Sequence, residues 1–161
     1  MKKETQIRKV EEAGGVKFTA RHGKQSVGFL SAVIHPDGTV WVKFIVVKDS
    51  VYLHNSTWVK GLRRVFGKRL ERWDYFRPKN FRKQGVGAKL VRTFLDWCQA
   101  RGTQEICGCI TPAGLEAQPR LVEWYQMFGF QPQEPDERCL PQSVKMVVWR
   151  AADTKTSTMG A

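Results

Sequence analysis

The chain has 161 residues, 42% hydrophobic and 26% charged, which suits one domain with a substantial core. No run approaches the roughly 18 apolar residues of a membrane span, and the basic start lacks the apolar stretch of a signal peptide, so a cytoplasmic protein without a membrane partner is expected. The net charge of +12 is concentrated, because twelve Lys and Arg residues from Lys60 to Arg92 stand against only Glu71 and Asp74, a local excess of +10. Such a field attracts a polyanion, either nucleic acid or a multiply phosphorylated cofactor.

In chain order, residues 1–15 read as an N-terminal extension, 16–150 as one folded domain and 151–161 as a small, polar tail with the composition of a disordered end. Val16–Arg21 and Ser26–Ile34 flank a turn at Gly23, and "HPDG" then leads into Val40–Val47, an Asp-Gly hairpin signal between apolar runs. Trp58, Leu62, Val65 and Phe66 recur at helical spacing within Ser56–Phe66, although Gly61 interrupts them. Arg69–Phe76 reads as a further strand, ended by Pro78, which has no N–H to give to a ladder.

Beyond it, Val86, Leu90, Val91, Phe94, Leu95, Trp97 and Cys98 form one apolar stripe, a helix with its stop at Gly102. Glu105–Ile110 is a short strand, Pro119–Phe128 a helix with proline in its first turn, and Ser143–Arg150 the final strand. The four cysteines contain no CxxC pair and the three histidines are scattered, so neither a metal site nor a disulfide framework is expected. Cys107 and Cys109 share one strand face and read as buried thiols.

The chemistry concentrates in "RPKNFRKQGVGA", residues 77–88, where the strand-like run gives way to the helix. A glycine-rich turn at a helix start presents unpaired backbone N–H groups and the positive end of the helix dipole, a natural phosphate cradle. Gly85 and Gly87 admit a ligand close to the backbone, while Arg82 and Lys83 add charge at the rim. The spacing is neither that of a dinucleotide-binding fingerprint nor that of a Walker A loop. Alone it is a weak signal, since average residue usage produces it in about one chain in seven of this length.

A second motif downstream supplies context. Phe76-x-Pro78 followed by Arg82-x-x-Gly85-x-Gly87-Ala88, together with Tyr125, Gly129 and Phe130 of "WYQMFGF", resembles the paired signatures of the GNAT superfamily of N-acetyltransferases. The resemblance covers about Val16 to Arg150. It implies an α/β (α+β) fold with a mixed, mostly antiparallel central sheet, splayed at strands 4 and 5 and flanked by helices. It further implies acetyl-CoA as acyl donor, without a metal, its pantetheine arm lying between Arg69–Phe76 and Glu105–Ile110. Tyr75, Phe76 and Arg77 would then offer backbone groups to that arm, and Arg82, Lys83, Gln84, Gly85, Val86, Gly87 and Ala88 would wrap the pyrophosphate. Gln118 stands where the family often places a cofactor-contacting asparagine, and Leu121 where it often has alanine.

The implied activity is acetyl transfer to a primary amine by direct attack on the thioester. Tyr125 matches the family's general acid, and Glu71 occupies the place of the strand glutamate that serves as base in histone-lysine acetyltransferases, with Asp74 the alternative. Strand alternation puts Glu71 and Asp74 on opposite faces, so only one can meet the acceptor. Structural readings compete at each position: Tyr125 as a packed core tyrosine, Glu71 and Asp74 as surface partners of nearby arginines. The acceptor is open among a protein amine and small amines. Two other functions stand beside transfer, a basic nucleic-acid-binding module built on Lys60–Arg72 and a catalytically silent acyl-CoA binder. The family usually inserts two helices between its first two strands to roof the acceptor site. The turn after Val16–Arg21 has no room for them, so a homodimer or the Ser56–Phe66 segment is expected to supply the cover.

Overall fold

The computed structural model describes residues 4–48, 64, 65, 67, 79–82 and 84–151. Seven strands form one sheet: β1 (Thr5–Glu12), β2 (Gly15–His22), β3 (Gln25–Ile34), β4 (Val40–Val47), β5 (Glu105–Ile110), β6 (Gln131–Gln133) and β7 (Lys145–Arg150). Their spatial order is β1-β2-β3-β4-β5-β7-β6, antiparallel except where β4 meets β5. Three described helices accompany it: α1 (Val86–Ala100), α2 (Pro112–Ala117) and α3 (Leu121–Gln126). This is the mixed α/β architecture that the paired motifs implied.

Tight turns at Gly14 and Gly23 join the first three strands, so no helix separates them, in line with the short turn read from the sequence. One correction lies at the N-terminus. Thr5–Glu12, read as part of an extension, is a full strand in register with β2 from Thr5↔His22 to Glu12↔Gly15. Arg8, Lys9, Glu11 and Glu12 hid it, and such charge is what an edge strand carries to discourage pairing with another chain. The helix expected over Pro119–Phe128 is present as α3, and the short α2 before it was not expected; Thr111 caps α2, its hydroxyl accepting from Gly114 N with Pro112 following.

Period-2 alternation assigns the sheet's two faces. Phe18, Ala20, Leu30, Ala32, Val40, Ile106 and Val147 point to the face covered by the helices, where they enclose the α1 stripe of Val86, Leu90, Val91, Phe94 and Cys98. Phe94 is fully buried, edge-on to Phe18 at 5.9 Å. On the opposite face, among the described residues, Cys107, Met146 and Val148 form a smaller cluster over the β5–β7 half, under the chain that links β6 to β7. Here the cysteine reading is corrected: Cys109 is bonded to Cys139 across 30 residues of sequence, while Cys98 and Cys107 are the buried free thiols. Spacing could not show this pair, because its second member sits in an irregular loop folded back over β5.

The sheet forks at its centre. β4 and β5 pair in parallel only at Val40↔Ile106, Trp41↔Cys107 and Val42↔Gly108, after which β4 runs on to Val47 and β5 to Ile110 without pairing to each other. At the end of β4, Lys48 N donates to Val27 O and Lys48 O accepts from Phe81 N at 3.2 Å. This bond brings Phe81 beside the end of β4. The expected strand Arg69–Phe76 lies outside the described residues, as does Ser56–Phe66 apart from Arg64 and Val65. The strand that faces β5 across the fork is Val40–Val47, the place that the resemblance gave to Arg69–Phe76.

Candidate active site

The loop entering α1 is shaped by its own polar groups. Asn80 Oδ1 accepts from Arg82 N at 2.8 Å, the Gln84 side-chain amide donates to Asn80 O, and Gln84 N donates to Phe81 O. The Phe81 ring is buried beneath, against His22. Arg82 Nε donates to Val47 O at 3.4 Å, which ties the loop to the free arm of the fork. Gly85 is the N-cap of α1 in the left-handed region, φ 75° and ψ 4°, a conformation that costs a residue with a Cβ about 1–2 kcal/mol.

Among the described residues no side chain caps this helix, and no acid lies in its first turn. The positive helix end and its opening N–H groups suit an outside acceptor. Gly87 faces the indole of Trp124 and a methyl of Val47, which would lie 3.4 and 3.5 Å from a Cβ placed there.

These groups border one cavity of about 590 Å³, within the range of about 300–1,000 Å³ usual for ligand sites. Ile45, Val46 and Val47 of the fork form one wall, Arg82, Gly85, Gly87 and Ala88 the helix entrance, and Gln118, Leu121, Trp124 and Tyr125 the far wall. Arg82 is its only charged lining residue among the described residues. Tyr125 packs edge-on against Phe130 at 5.5 Å and Trp124 at 5.1 Å. Burial alone pushes its phenol up to about 12, with no hydrogen bond contributing.

Of the residues named from sequence, Arg82, Gly85, Gly87, Ala88, Gln118 and Tyr125 come together around this cavity. Val86 turns its side chain into the core and Gln84 spends its amide on the loop itself, so their backbones alone remain for a ligand. Glu71, Asp74, Tyr75, Phe76, Arg77 and Lys83 lie outside the described residues. Sequence reasoning missed Ile45–Val47, Gly114, Ala117 and Trp124. The β4 strand was recognisable as such, but its neighbour across the fork was not, because parallel pairing joins segments far apart in sequence.

The Asp136 carboxylate is held by Arg138 at 2.7 Å, and Glu134 by Lys145. Arg138 also bonds Glu105 at 3.3 Å and stacks its guanidinium over Trp41 at 5.2 Å. Burial works against the Glu105 carboxylate, but hydrogen bonds from Cys107, Arg138 and Arg150 outweigh it and hold its pKa below the usual value. Of the acids in "EPDE", residues 134–137, Glu134 and Asp136 are thus paired by nearby cations.

The family model described as "Acetyltransferase (GNAT) family" matches residues 2–130. No curated protein sequence is significantly similar to the chain. Among solved structures, an acetyltransferase from Bacillus subtilis in complex with CoA superposes with a TM-score of 0.57 at 14% identity, over 92% of this chain and 99% of that one. An IAA acetyltransferase from Bacillus cereus gives 0.57 at 11% identity, over 92% and 100%. A GNAT-family acetyltransferase from Staphylococcus aureus gives 0.55 at 15% identity, over 85% and 68%. At such identities the superpositions speak for the fold, and with the family match over most of its length the chain belongs to the GNAT family of acetyltransferases.

Proposed function

We propose that the protein is an acetyl-CoA-dependent N-acetyltransferase that passes the acetyl group to a primary amine by direct attack on the thioester. The observation that carries this reading is the meeting of the open β4/β5 fork and the uncapped N-terminus of α1 in one cavity. The residues suit the donor: the helix N–H groups and Arg82 answer its phosphates, and the edge of Ile45–Val47, unpaired to β5, answers its amide-bearing arm. When bound, acetyl-CoA supplies an activated acyl group and a thiolate leaving group.

The chain's own residues then have three tasks. The first is binding, shared by Gly85, Gly87, Ala88 and Arg82, with Gln118 offering an amide from the far wall. The second is protonation of the departing sulfur. A phenol at about 12 stays protonated at any physiological pH, so Tyr125 always has a proton to offer. Because a thiol ionises near 8.5, full transfer from so weak an acid is uphill, and Tyr125 acts chiefly by donating a hydrogen bond as charge develops on sulfur. The third is removal of the amine's proton. No carboxylate or imidazole lines the cavity among the described residues, so this task falls to Glu71, to Asp74 or to water.

Calorimetry tests the placement. Wild-type protein binds acetyl-CoA, and Gly87→Trp, whose side chain would fill the space beside Trp124 and Val47, loses most of that affinity. Equal affinity in the two proteins refutes the assignment.

A further inference from the structure

Strand register lays out the helix-free face of β1–β4 row by row. One row reads Val10, Lys17, Ser31 and Phe44 across the four strands, and the next reads Arg8, Thr19, Phe29 and Val46. Arg21 continues the face along β2, and Lys43 is the extra residue of a bulge beside Phe44. Lys17 Nζ lies 4.9 Å from the centre of the Phe29 ring, and Phe44 is 61% exposed. β1–β4 contain only two acids, Glu11 and Glu12. Glu11 points towards α1, where it pairs with Lys9 and Arg101 and accepts from Trp97, so Glu12 alone shares the helix-free face. Among the described residues, none of Arg8, Lys17, Arg21 and Lys43 makes a salt bridge.

We propose that this face is a platform for single-stranded nucleic acid, with phosphates held by Arg8, Lys17, Arg21 and Lys43 and bases stacked on Phe44 and Phe29. Charge complementarity selects a polyanion, because the face sets four cations against one carboxylate in a chain of net charge +12. The same excess works against a second copy, whose matching face would bring cations onto cations. Interleaving selects the kind of polyanion. Cations and rings alternate along and between the rows, as charged phosphates alternate with flat bases along a strand. An anionic membrane would instead call for a contiguous apolar face with its cations on the opposite side. Four strands at about 4.8 Å spacing span about 14 Å, too wide for a duplex major groove of about 12 Å. Stacking on Phe44 also needs a base whose face is free, so the strand is single. The proposal does not depend on the acetyltransferase reading.

Fluorescence anisotropy of the full chain with oligothymidylate and oligouridylate of about 12 nucleotides, inside the span of about 4–16 that such platforms cover, tests it. At least one should bind, and the tighter of the two tells DNA from RNA. Each phosphate contact contributes about 0.7 to the slope of log affinity against log salt, so Arg8→Gln combined with Lys43→Gln should reduce that slope by about 1.4. Phe44→Ser should weaken binding about fivefold or more while leaving the slope unchanged, because stacking releases no counterions. If the double variant fails to fold, Lys17→Gln should reduce the slope by about 0.7. The proposal is overturned by absence of binding to both oligonucleotides, by an unchanged slope in the folded charge variants, or by unchanged affinity in Phe44→Ser. Binding to vesicles of phosphatidylcholine and phosphatidylserine in place of the oligonucleotides overturns it too, as does a Phe44→Ser protein that changes only its oligomeric state in light scattering.

Discussion

Gly85→Ala isolates what the phosphate turn demands of its backbone. At φ 75° and ψ 4° the new methyl meets nothing within 4 Å, so no steric clash with the rest of the protein enters the balance. The left-handed conformation costs about 1–2 kcal/mol for a residue with a Cβ. Loss of chain entropy in the unfolded state returns about 0.4–1 kcal/mol. The net destabilisation should be about 1 kcal/mol, or about 2–4 °C in Tm for a domain of this size. The same substitution should weaken acetyl-CoA binding, because relaxing φ turns the N–H groups that open α1 away from the cavity. Gly85→Asn, with a side chain that tolerates the left-handed region, should recover part of both losses. Thermal unfolding and calorimetry measure the two quantities. If alanine were as stable as glycine, or if alanine and asparagine behaved alike, the turn would not depend on its handedness and the account of the cradle would fail.

Tyr125→Phe should lower kcat on the order of a hundredfold or more with little change in acetyl-CoA affinity, as expected of a hydrogen bond that matters only while sulfur gains charge; wild-type kcat would return Tyr125 to a packing role. Because the folded-state phenol titrates near 12 rather than 10, the folded protein holds that proton more tightly, and stability should fall as pH rises from about 10 to 12. The same Tyr125→Phe variant, having no phenol to ionise, should lose that alkaline decline in a pH series of urea melts. At the acid end, Glu105 is ionised more readily when folded, so its contribution is present above the ordinary carboxylate pKa and disappears as pH falls through the depressed value; Glu105→Gln should flatten that slope. Cys139→Ser opens a loop of 30 residues and should cost about 3–4 kcal/mol by the loop-entropy estimate, read as a lower denaturation midpoint.

What the sequence revealed and what it hid divide along contact distance. The α1 stripe, the turn before it and Tyr125 were legible, since each is a local pattern; the stripe enters the core, while residues of the turn and Tyr125 line the cavity. The parallel partner of β5 was not legible. Arg69–Phe76, chosen for its strand pattern beside the turn, lies outside the described residues, whereas Val40–Val47, which pairs with β5, is distant from the turn in sequence and joined to it through the Lys48–Phe81 hydrogen bond. The Cys109–Cys139 bond and the pairing of Asp136 and Glu134 by Arg138 and Lys145 were hidden for the same reason: each depends on a loop folding back over β5. Thr5–Glu12 was obscured differently, by the charge that an outer strand needs for solubility.

Because Phe81 N meets Lys48 O beside the end of β4, two residues distant in sequence are held together there. Closure entropy grows only slowly with the number of residues spanned, so the cost of joining these ends would change little if the span lengthened or shortened over evolutionary time. Eight of the twelve cations between Lys60 and Arg92 fall within that span. Insertions or deletions there would therefore change the protein's electrostatic reach in solution at a small entropic cost to the contact that closes it.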